Sequence, residues 1–68
     1  MDYQFFEKLL EGKTLPLMGE SDDGEVVIVN KGKDDEGEFY ETQTAQNNDW
    51  VRINRYYSTG VMTETFDR

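Results

Sequence analysis

Sixty-eight residues carrying seven lysines or arginines and fifteen aspartates or glutamates give a formal charge of −8, and neither cysteine nor histidine occurs. Disulfide frameworks, zinc sites built on thiolate or imidazole, thiol catalysis and acid–base schemes that turn on histidine are excluded on that ground. A chain this short buries only about 60% of the surface its unfolded form exposes, so one domain over 1–68 with one thin core is expected, without a large cofactor cleft.

At the start of the chain Asp2 reads as a helix N-cap, with Tyr3, Phe6 and Leu10 at one helical spacing and Phe5 and Leu9 beside them. Gly12 stands where a left-handed C-cap belongs, so the spacing predicts a helix over 3–11, with Met1 and Phe6 as a hydrophobic staple. Its apolar stripe is broad, as suits a helix lying on a sheet. Pro16 keeps Leu15 out of the helical region and makes residues 14–18 an extended connector. Residues 19–24, with Gly19, Ser21, Asp22, Asp23 and Gly24, read as a polar turn.

The β-branched run Val26 to Val29 predicts a strand over 25–31, covered on both faces or flanked by neighbours and the best candidate for a central strand. Lys31 to Gly37 reads as a charged hairpin loop and 38–46 as an exposed strand. Gln46 to Asp49 is a turn by composition, 50–57 an aromatic and β-branched strand, and Ser58 to Gly60 a short connection to a last strand over 61–67. The expected fold class is α+β, an N-terminal helix packed on a four-stranded antiparallel meander with one face left open. Because residues i and i+2 share a face, Val51, Ile53 and Tyr57 are expected in the core and Trp50, Arg52, Asn54 and Tyr56 on the open face. A slip of one residue would exchange the two sets.

The charge is concentrated. Residues 20–41 hold Glu20, Asp22, Asp23, Glu25, Asp34, Asp35, Glu36, Glu38 and Glu41 against Lys31 and Lys33, which places −7 of the −8 there. Alternate carboxylates on a strand stand about 6.6 Å apart, close to the spacing of successive phosphates, and Glu36, Glu38 and Glu25 across a hairpin are the expected members of such a row. The plainer reading is a solvated loop and edge whose charges discourage edge-to-edge pairing. Neither acidic stretch has the spacing of a calcium loop, and no metal ligand set is expected.

Trp50, Arg52, Asn54 and Tyr56 form the second constellation, since aromatics and arginines on one sheet face serve as stacking platforms for single strands and as anchors of protein interfaces. The charge decides between those uses, because a −8 domain repels phosphate and attracts cationic proteins. Catalysis is not expected: the glycines at 19, 24, 32, 37 and 60 sit as turns, with no phosphate-cradling pattern. No cofactor is implied either. No basic segment leading into an apolar run opens the chain and no apolar run nears the roughly 20 residues of a membrane span, so a cytoplasmic protein is expected.

In length, acidity, lack of cysteine and helix-plus-meander layout the chain resembles the small inhibitors that bacteriophages and mobile elements encode, anti-CRISPR proteins and other nucleic-acid mimics among them. The resemblance spans the general character of the whole chain and implies a role as an inhibitor; it assigns no functional residue. The expected function is non-enzymatic: the acidic 20–41 region docks on the basic surface of a nucleic-acid-handling protein, such as a nuclease, and blocks nucleic acid there. The alternative is an interaction or homodimerisation module built on the sheet face of Trp50 and Tyr56.

Overall fold

The computed structural model of the chain describes residues 2–20, 24–45 and 51–67. Asp2 is extended, and its Oδ1 accepts the Phe5 amide proton at 2.9 Å, so the first turn of helix α1 (Tyr3–Leu9) has one of its unpaired donors satisfied. Lys8 lies in the last turn, where a cation meets the negative end of the helix dipole. Gly12 takes the expected left-handed φ of +76°, but the helix has already ended at Leu9, two residues short of its predicted end, with Leu10 as its C-cap. Met1, the other half of the expected staple, lies outside the described residues.

Among the described residues the sheet has five strands rather than four. β1 (Leu17–Glu20), β2 (Val26–Asp34), β3 (Gly37–Ala45), β4 (Val51–Tyr57) and β5 (Met62–Asp67) pair antiparallel in chain order. The added strand comes from the expected connector and polar turn: Leu17 and Met18 pair with Val29 and Ile28, and Gly19 and Glu20 with Val27 and Val26. β2 is thus flanked on both sides but is not covered on both faces, since Val26 and Ile28 remain exposed while Val27 and Val29 turn inward.

Two more expectations change. Lys31 to Asp34 continue β2, leaving Asp35 and Glu36 as a two-residue turn closed by the Asp34 to Gly37 pair. Gly37 supplies the positive φ, +121°, and Asp34 Oδ1 accepts the Glu36 amide at 2.8 Å. Strand β3, expected to be exposed, is the most buried strand and contributes Phe39, Tyr40, Thr42 and Thr44 to the interior. It is the middle strand, and neither its alternation nor its polar residues announce that position.

The register fixes the faces. Tyr40 pairs with Tyr56, and α1 seats Phe6 on both, with ring centroids 5.7 and 5.1 Å apart. Leu10 completes the buried cluster, and Tyr3, Leu15, Leu17 and Val29 pack against it. Arg52, Asn54 and Tyr56 therefore belong to the helix-side face and Val51, Ile53 and Tyr57 to the opposite one, the reverse of the sequence expectation. Period-2 alternation separates the two sets but is blind to which of them a helix will cover. Tyr57 is buried all the same, under Phe39 and Arg55 on the far face. Among the described residues no helix is long and apolar enough to cross a membrane.

Candidate functional site

On the far face, one end of the sheet carries a closed polar network. Tyr57 donates its hydroxyl to Asp34 Oδ2 at 2.6 Å, and Arg55 reaches the same oxygen through Nη1 at 3.1 Å while its Nε donates to Glu41 at 2.8 Å. The Arg55 guanidinium also stacks 4.4 Å from the centre of the Phe39 ring. The Tyr57 hydroxyl bond, aided by Arg55, holds the Asp34 carboxyl below its ordinary range. These groups satisfy one another, so Asp34 and Glu41 act chiefly as internal partners of Arg55.

A second network ties α1 to the sheet. Tyr40 donates to Glu7 at 2.7 Å and Tyr3 to Glu38 at 3.1 Å, and Lys31 lies 5.2 Å from the centre of the Tyr40 ring. Burial, reinforced by Glu38, pushes the Tyr3 phenol up to about 12, and burial with the Glu7 bond raises Tyr40 further still. The Tyr40 bond in turn lowers Glu7.

The acidic segment does not form one patch. Glu20 and Glu25 lie at one end of the β2–β3 hairpin, and Asp34, Asp35, Glu36 and Glu38 at the other, about 26 Å away along β2. Glu38 pairs with Lys33, far from Glu25, so the expected row of Glu36, Glu38 and Glu25 is absent. Glu25 instead stands 4.0 Å from Arg52 Nη2. Asp35, Glu36 and Glu20 are exposed; Asp22 and Asp23 lie outside the described residues, as does Trp50.

Sequence reasoning missed a groove. The seven-residue α1 covers only part of its face, and beside it opens a depression of about 580 Å³. Its floor is Val27, Val29, Thr42 and Thr44, its wall Phe5 and Leu9, and its rim includes Glu20 and Glu25. Arg52 crosses the floor with a buried Nε that has no hydrogen-bond partner. On the β5 side, Glu64 accepts from the Asn54 amide at 3.2 Å in the orientation that satisfies both, and the flanking Met62 and Phe66 are 51% and 58% exposed. Only one signal of this was legible, the shortness of the helix beside long strands. Among the described residues no group of three or more acidic side chains is placed to hold a metal ion.

Comparison with known proteins finds no matching family model, curated protein or solved structure. The functional reading therefore rests on charge, exposure and shape.

Proposed function

We propose that the protein is a non-enzymatic binding domain that captures a cationic protein surface and keeps nucleic acid off it. The observation that carries this reading is the charge left over once internal pairing is complete. Arg55 engages Asp34 and Glu41, and Arg52 approaches Glu25, yet Glu11, Glu20, Asp35 and Glu36 stand exposed and the chain retains its −8. Such a field raises the on-rate and local concentration of positively charged partners and disfavours phosphate. The docking charges belong to both ends of the hairpin rather than to a single row, so the partner is met by a field and a surface instead of by a strand that copies phosphate spacing. Calorimetric titration with an arginine-rich peptide over a range of salt tests this. Binding that weakens steeply with salt and with Asp35→Lys and Glu36→Lys supports the reading; salt-independent binding, or none, rejects it.

A second reading has its own observation. On the face away from α1, the row Met18, Ile28, Gln43, Ile53 and Thr65 carries no charge, and the neighbouring Val26, Ala45 and Val51 meet charge only at the edge strands, in Glu20 and Asp67, in a chain one-third charged. Met18 is 69% exposed. An uncharged apolar strip of this kind is where two copies could meet face to face. In this reading Val26, Ile28 and Ile53 form the interface in place of Tyr56, which is buried under the helix. Light scattering at high concentration decides it, because the reading requires a dimer that Ile28→Lys dissociates.

A further inference from the structure

We infer that the helix-side groove binds a cationic amphipathic helix of the partner, which lies beside α1 and completes the helical layer over the sheet. The inference rests on the reading of the protein as a capturer of cationic proteins and says where on the molecule capture takes place.

Geometry supplies the first argument. Strands of up to nine residues are overlaid by a helix of seven, so part of this face lacks the cover that an α+β sheet normally receives from a second layer. From β1 to β5 the face is about 19 Å across, a width spanned by about 13 residues of α-helix. The apolar groups that an incoming helix needs are in place and exposed. Leu9 and Phe5 face it from α1 at 53% and 46% exposure, and Val27 and Val29 lie on the floor.

Charge supplies the second. Glu20 and Glu25 border the groove at one side and Glu64 at the other, against Arg52, which Glu25 approaches, and Lys13 beside Leu9 and Glu20, so the rim keeps a surplus of carboxylate for lysines or arginines that flank an apolar stripe.

A second copy of the chain is a poor occupant. Helix α1, YQFFEKL, sets one lysine beside one glutamate, and Arg52 and Arg55 are engaged internally, so among the described residues it has no cationic helix to offer. Anionic amphiphiles and nucleic acid meet the rim carboxylates with the wrong sign.

The test uses the full chain and four synthetic peptides of about 14 residues: leucine and lysine at helical spacing, the same composition scrambled, lysine alone, and leucine with glutamate at helical spacing. The patterned leucine–lysine peptide is expected to bind at least about tenfold more tightly than the scrambled or all-lysine peptides. Its amide-shift changes should centre on Leu9, Val27, Thr44 and Arg52. Leu9→Lys and Glu20→Lys, both at exposed positions, are each expected to weaken it by about tenfold while leaving the unfolding transition in place. If the all-lysine peptide binds as tightly and its shifts spread over the acidic surface, the groove inference fails while cationic capture survives. If no cationic peptide binds, both fail. Equal binding of the leucine–glutamate peptide, or self-association that fills the groove, also overturns the inference.

Discussion

The Tyr57 hydroxyl donates to Asp34 Oδ2 across 2.6 Å, joining β4 to the last residue of β2 over the top of β3. This bond and the Arg55 contacts lock the turn end of the longest hairpin, so the exposed carboxylates of Asp35 and Glu36 project from a fixed base. Tyr57→Phe keeps the ring against Phe39 and removes only the hydroxyl, and should lower the unfolding midpoint by a few degrees.

Acid should erase that difference. The Asp34 carboxyl is lowered in the folded state, so its contribution is present above the unfolded value, about 3.9, and is lost as pH falls through the folded value. Thermal unfolding followed by circular dichroism should show wild type and Tyr57→Phe converging below about pH 4. A gap unchanged at pH 2 would mean that the hydroxyl acts through something other than the ionised Asp34.

At high pH the sign reverses. Tyr3 ionises near 12 in the folded protein because it is partly buried and bonded to Glu38, whereas an unfolded tyrosine ionises near 10. The raised value means stability is whole below pH 10 and declines as pH rises through 12. Phenolate absorbance should therefore lag behind that of the denatured chain above pH 10, and Tyr3→Phe should shift alkaline unfolding to higher pH.

Glycine at 32 is required by its neighbour. A Cβ there would lie 2.6 Å from Phe39 Cζ, and the ring is held by Tyr57 at 5.3 Å and by the Arg55 guanidinium. Gly32→Ala should cost about 1–3 kcal/mol through displacement of the ring. In a Phe39→Ala background the same change should cost far less, a coupling that a double-mutant cycle measures.

How much of this was legible varies with the range of the interaction. Asp2, Gly12 and the apolar spacing of α1 act within a few residues, and the helix and its cap follow from them. Strand β1 was hidden because Leu17 and Met18 sit between Pro16 and Gly19, and only pairing with Val29 and Ile28 makes them a strand. The turn was placed too early for a similar reason: Lys31 to Asp34 look like loop by composition, yet Tyr40, Phe39 and Gly37 hold them in the ladder. Which face the helix covers depends on Phe6 meeting Tyr40 and Tyr56, a contact that no local pattern encodes. The charge was plain in the sequence, but its split between two ends of a hairpin was not, because that depends on the length of β2.

Competition decides whether this acidic domain takes a cationic partner away from nucleic acid, as proposed. A labelled single-stranded oligonucleotide is bound to an arginine-rich peptide, the protein is added, and fluorescence anisotropy is followed. Wild type should release the oligonucleotide, and a Glu20→Lys, Asp35→Lys, Glu36→Lys variant, whose three reversals take the formal charge from −8 to −2, should release much less. Equal release by the variant, or an oligonucleotide that binds the protein itself, would contradict the proposal.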